Sequence, residues 1–190
     1  MGEEMQSGRG EPQILPGAGI LREVILGAQD NLTNVLATVL GVAIGSGKVS
    51  MVALAGMSSG VAEAISMGGV LYTSTRAELD LRTSAEKNGP PKEYWRRAEC
   101  SDPLRAALVC FAAAAIAAVI PLAPFAVLPI HAAMVACVLL SGACLFALGG
   151  WKGAVTRRPW WKDGLQIVLI GTLAAVASAL IGAALKTHGT

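Results

Sequence analysis

Charge is scarce in this chain. Lys, Arg, Asp and Glu make up 15% of its 190 residues, where a soluble domain carries about 25%. Aromatic residues reach 5%. These shortages exclude a charge-coated soluble domain. They leave Ala, Leu, Val, Ile and Gly as the bulk, the usual filling of close-packed membrane helices. A net charge of +2 is too small to argue for a nucleic-acid partner. The two histidines, His131 and His188, sit near the far ends of apolar runs. No nucleophile–base pattern accompanies them, which speaks against an enzyme. No CxxC pair occurs among Cys100, Cys110, Cys137 and Cys144. Three of these lie in apolar runs and read as small buried hydrophobes. Cys137 and Cys144 are seven apart and share a helix face, so metal ligation is the alternative for that pair. "GSGK" at 45–48 lacks the rest of a phosphate-binding loop and reads as a turn, so neither nucleotide drive nor a bound cofactor is expected. "MGEEMQSGRGEPQIL" lacks the basic start and apolar run of a signal peptide. Residues 1–19 are expected to be a mobile cytoplasmic tail.

What is abundant is long apolar sequence, with a mean hydropathy of +0.57. A membrane-spanning helix needs about 20 mostly apolar residues. Five stretches qualify, near 24–44, 51–72, 104–121, 130–148 and 165–185. The expected fold is all-α, a polytopic membrane protein with five transmembrane helices. The connections differ. "PLAPFAVLP" at 121–129 is short, uncharged and rich in proline, whereas residues 76–105 and 151–163 collect Lys and Arg. Basic loops stay on the cytoplasmic side. Five spans put both basic loops and the N-terminus on that side and the C-terminus opposite. Trp95, Trp151, Trp160 and Trp161 lie in or beside the basic loops, as an interfacial aromatic belt would. Small residues recur every four positions in the second span (Gly56, Gly60, Ala64, Gly68) and in the fifth (Gly171, Ala175, Ala179, Ala183). Such ridges let helix backbones approach closely in lipid.

Two acids interrupt the apolar runs: Asp30 in the first span and Glu63 in the second. A charge at the centre of a membrane helix costs about 2.5–3.5 kcal/mol on insertion scales, so the pair suggests an ion or proton pathway. Asp30 lies 17 residues before Gly47 and Glu63 lies 16 after it. In a hairpin rising 1.5 Å per residue, both therefore reach the same depth, about 25 Å from the turn. Asn34 follows Asp30 by one turn, and Thr33 is close by. Met67 follows Glu63 by one turn, with Ser59 and Ser66 nearby. Hard oxygens beside a soft thioether favour Fe²⁺, Mn²⁺, Co²⁺ or Zn²⁺ over Mg²⁺ or Ca²⁺. Helix packing is the alternative for Met67, a structural hydrogen bond for Asp30, and a buried neutral carboxyl for Glu63. Carboxyls in lipid hold a proton when empty and release it to a cation, so metal and proton compete for the same oxygens.

"REVILGAQDNLTNVLATVLGVA" resembles the first span of the vacuolar iron transporter family, and "LAGMSSGVAEAISMGGVLYTSTRAEL" resembles its second. "DPLRAALVCFAAAAIAAVIPLAPF" and "GTLAAVASALIG" resemble the third and fifth. The resemblance covers about residues 20–186. It implies a five-helix transporter, a homodimer with its pathway between subunits, moving Fe²⁺ and often Mn²⁺ out of the cytosol in exchange for protons. It implies that Asp30 is the pathway aspartate, Met67 the methionine of a Ser-Met element, and Glu23 the glutamate of the opening Arg-Glu. Three features depart from the family. Asn31 stands where glycine is usual. Val70-Leu71 replaces a Gly-acid pair, and Glu63 is expected to take over part of that acid's role. Only the short loop 76–103 separates spans two and three, where many members insert a long metal-collecting domain. The competing readings are a carrier or channel for another small solute on the same fold, and a non-transporting membrane interaction protein. The sequence leaves open whether the membrane is plasma or vacuole-like.

Overall fold

The computed structural model describes residues 18–87 and 102–187. The expected N-terminal tail at 1–17, the loop residues 88–101 (Trp95 and Cys100 among them) and His188 lie outside these. The described chain is five α-helices: α1 Ala18–Ser46, α2 Val49–Lys87, α3 Pro103–Val127, α4 Ile130–Val155 and α5 Trp160–Thr187. Four of them, α2 to α5, are long and apolar enough to cross a membrane. Their large apolar side chains point outward; Leu54, Ile116 and Leu139 are 66%, 70% and 68% exposed. Water would penalise such a surface heavily, and lipid does not. The chain is a multi-pass membrane protein.

Local chemistry sets the helix ends. Gly47 adopts φ +64° and its N–H donates to the Ala43 carbonyl at 3.0 Å. This is a left-handed C-terminal cap that glycine accepts without strain, and it turns α1 into α2. The Asp102 side chain accepts from the Leu104 N–H at 3.0 Å, and Pro103 fills the first helical position, where a missing N–H costs nothing. At the end of α4 the Thr156 hydroxyl donates to the Lys152 carbonyl at 2.9 Å. Arg157 then turns the chain at φ 54°, an uncommon backbone state for a side chain with a Cβ.

Two expected boundaries move. The connection at 121–129 is helical as far as Val127, with Pro121 and Pro124 inside α3. Each proline removes one backbone donor, a loss that neighbouring helices absorb in membrane bundles. The second span continues to Lys87, and 39 residues extend about 58 Å, nearly twice the roughly 30 Å hydrocarbon core. The first part of the expected loop 76–103 is thus a helical extension of α2, exposed and carrying the Arg76–Asp80 ion pair at 3.6 Å.

Helix α1 is the axis. It packs against all four other helices, whereas α2 packs chiefly on α1 and α3. The main core gathers Val35, Leu36 and Val39 of α1 with Val52, Ala118, Phe125, Cys137 and Ala175. The small-residue ridge of α2 meets α3, with Gly56 against Leu122, Gly60 against Ala118 and Gly68 against Phe111. The ridge of α5 follows a different register from the expected one. Gly171 and Ala175 face inward, but Ala183 is exposed, and Gly182 instead crosses the backbone of Gly41.

Candidate functional site

The polar segment of α1 divides between two faces. Asn31 points inward and is fully buried. Its Nδ2 donates to the Gly60 carbonyl of α2 and to the Ala114 carbonyl of α3, each at 2.9 Å. One amide thus ties three helices at one level, while its Oδ1 has no partner. The residue that departs from the expected glycine is a structural tie. Asp30 lies about 100° around the helix from it and is exposed on the surface of the chain.

Glu63 of α2 is half-buried, and its carboxyl lies beside the side chains of both Asp30 and Asn34, near enough to interact with each. The depth match read from the hairpin is therefore also a contact. Two ionised carboxylates side by side repel, and a shared proton or a bound cation relieves that repulsion. Asn34 adds an amide that can donate to, or ligate beside, the same oxygens. The three side chains come together because α1 and α2 are antiparallel across the Gly47 turn, and because Gly60, without a Cβ, brings α2 close to Val35 and Ala118.

The remaining expected residues lie nearby but outside this contact. Glu23 is 5% exposed, and its Oε2 has no hydrogen-bond partner. It lies two turns from Asp30 on the same face of α1. Gly27 packs directly on the Cys110 backbone and sulfur, closing α1 onto α3 between them. Met67 packs on the apolar cluster of Leu71, Ala106 and Cys110. Its side chain thus lies in the α1–α2–α3 seam, partly buried. Thr33 faces Gly171 of α5 and is not part of the group. Leu71, at the missing acid's place, is 3% exposed inside that cluster. Among the described residues no three His, Cys, Asp or Glu side chains lie close enough together to hold an ion. One chain thus presents two carboxyls and an amide on an open surface. Sequence reasoning missed the tie made by Asn31; its position on the wheel, away from Asp30, was the available signal.

A family model described as the VIT family matches residues 21–90 and 82–183. Vacuolar iron transporter homolog 1 of Arabidopsis thaliana is 25% identical over 171 residues, covering 88% of this chain and 84% of that protein. Vacuolar iron transporter homolog 3 of the same plant is 26% identical over 155 residues, covering 81% and 77%. Vacuolar iron transporter 1 of Eucalyptus grandis is 27% identical over 208 residues, covering 84% of each chain. All three are named as transporters and none as an enzyme.

Proposed function

The chain belongs to the VIT family, and from that membership we propose that it is a proton-coupled transporter. It moves divalent transition metal, Fe²⁺ and also Mn²⁺, out of the cytosol along a pathway lined by α1 and α2. The observation that carries this reading is the grouping of Asp30, Glu63 and Asn34 across the facing helices α1 and α2. Empty, the carboxyl pair holds a proton. An arriving cation takes the oxygens and displaces it. Release on the far side lets the pair take up a proton there, so metal and proton run in opposite directions.

The exposure of Asp30 supports a homodimer. An acid open to lipid is costly, so such groups face protein or a water-filled cavity. A second copy laid over this face covers Asp30 and supplies a second carboxyl pair, making up the ligand number that one chain lacks. Glu23, two turns toward the basic loops, is the next acid along the path, and Met67 offers a soft sulfur between them. Glu63 takes over part of the role of the acid missing at Leu71. Five spans put the basic loops and N-terminus in the cytosol and the C-terminus on the opposite side.

The test is metal uptake by proteoliposomes holding a metal-quenched dye and a pH dye. Wild type is expected to admit Fe²⁺ while protons leave. Asp30→Asn and Glu63→Gln keep the side-chain shape but are expected to stop both fluxes in protein that remains monodisperse. Metal flux without proton movement would refute the coupling, and an unchanged rate in Glu63→Gln would refute its role. The buried Leu71 favours a second reading, a carrier of another solute on the same fold. Absence of any metal flux in well-inserted wild type would refute the first reading.

A further inference from the structure

On the opposite side of α1 from the acids lies a groove of about 650 Å³ between α3 and α4. Its floor is Val24, Ala28 and Leu32 of α1, roughly 140° around the helix from Asp30 and Asn34 at 100° per residue. Its α3 wall runs from Val109 to Ile120, about 16 Å along the axis, which matches one leaflet of a hydrocarbon core about 30 Å thick. The lining is apolar throughout.

The groove ends in positive charge. On α3, Arg105 is one turn before Val109 on the same face; on α4, Lys152 is one turn after Leu148, and Trp151 lines the end beside it. Arg105 is exposed and Lys152 half-buried. Among the described residues neither forms an ion pair with an acid. Asp102 is occupied in capping α3. Asp163 is buried at the α4–α5 crossing, against Gly153. An apolar slot one leaflet long, with an aromatic ring and two cations at its interfacial end, has the chemistry of one phospholipid. The slot takes an acyl chain, the tryptophan sits at headgroup level, and the cations hold a phosphate, for which the arginine fork is well shaped.

We propose that this groove is a binding site for an anionic phospholipid of the leaflet facing the basic loops. The lipid fills the gap where α3 and α4 separate and stabilises the side of α1 that backs the carboxyl group. It acts as a fixed part of the bundle and is not a transported solute.

The test is native mass spectrometry of the full chain released from micelles doped with dioleoyl-phosphatidylglycerol or dioleoyl-phosphatidylcholine. Wild type is expected to keep one phosphatidylglycerol per chain and to prefer it over phosphatidylcholine. Near a membrane surface each Lys or Arg contributes enough to change lipid binding about fivefold. Arg105→Gln with Lys152→Gln should therefore weaken retention about 30-fold. Arg157→Gln with Arg158→Gln, beyond the groove, should change it less than about twofold. Ala113→Phe, which fills the slot, should lose the lipid with both cations intact, and inorganic phosphate should not compete. Equal retention of the two lipids by wild type overturns the proposal without reference to any variant. So does an equal loss in both double variants, which would mark a general surface charge effect. Competition by phosphate overturns it as well, and so does a changed subunit count in Ala113→Phe with lipid retained, which would mark the groove as a protein interface.

Discussion

Asn31→Asp tests the tie that holds α1, α2 and α3 together. The two side chains are nearly the same size, so no cavity opens, and the change is confined to donors. In the wild type two N–H groups meet two carbonyls at 2.9 Å. An ionised carboxylate would place oxygens against both carbonyls, so the folded variant must carry a proton there. That proton satisfies one carbonyl and leaves the other unbonded, a loss of about 0.6 kcal/mol for a hydrogen bond between membrane helices. Holding a carboxyl of ordinary pKa about 3.9 neutral at pH 7 costs about 4 kcal/mol more. The sum, about 5 kcal/mol at pH 7, corresponds to a midpoint lowered by about 10–20 °C in a chain of this size. The protonation part falls by about 1.4 kcal/mol for each unit the pH drops. The variant should therefore regain much of its deficit by pH 5, because the folded form is the one that keeps the proton. The assay is thermal unfolding in detergent of wild type and variant side by side at pH 7.5, 6 and 5. A variant as stable as wild type at pH 7.5, or a gap that does not narrow as pH falls, would refute the three-helix tie.

Two further substitutions probe the packing. Gly182→Val places a side chain against the Gly41 carbonyl and should destabilise by about 3 kcal/mol or more, seen as loss of a monodisperse peak on size exclusion. Gly142→Ala, where an added Cβ meets nothing within 4 Å, should leave the midpoint unchanged or raise it slightly, by up to about 1 kcal/mol of helix propensity. Leu71→Glu restores an acid where the family carries one, but at 3% exposure in an apolar cluster an unpaired acid costs roughly 2 kcal/mol or more. It should lower the unfolding midpoint without raising metal flux in proteoliposomes, and an increase in flux would show that Leu71 faces the pathway.

The depth of the carboxyl pair was legible because it needs only counting from Gly47. That the pair would touch was less legible, because facing depends on which helices cover α1. The same limit explains the α5 ridge: a four-residue spacing starting at Gly171 fits either Ala183 or, after one three-residue step, Gly182, and only the crossing at Gly41 selects the second. The end of α3 was misplaced for a different reason. Proline stops a helix in water, but in a bundle the freed carbonyls find other partners, so Pro121 and Pro124 lie inside α3.

The one described helix that falls short of a membrane span by composition is also the most enclosed, and the two facts have one cause. Helix α1 carries Gln29, Asp30, Asn31 and Asn34 within six residues and falls outside the helices apolar enough to span by composition. Lipid would reject such a segment, but α1 meets little lipid because all four other helices pack around it. Their outer faces carry the leucines and isoleucines that the bilayer requires, which frees the axis to hold amides and acids. Within α1 each polar side chain then has a direction: Asn31 inward to two carbonyls, and Asp30 outward to Glu63 and Asn34. A hydropathy window averages over these directions and marks the helix down. The burial pattern separates them and shows that the inward amide holds the helices in the register at which the outward carboxyls meet.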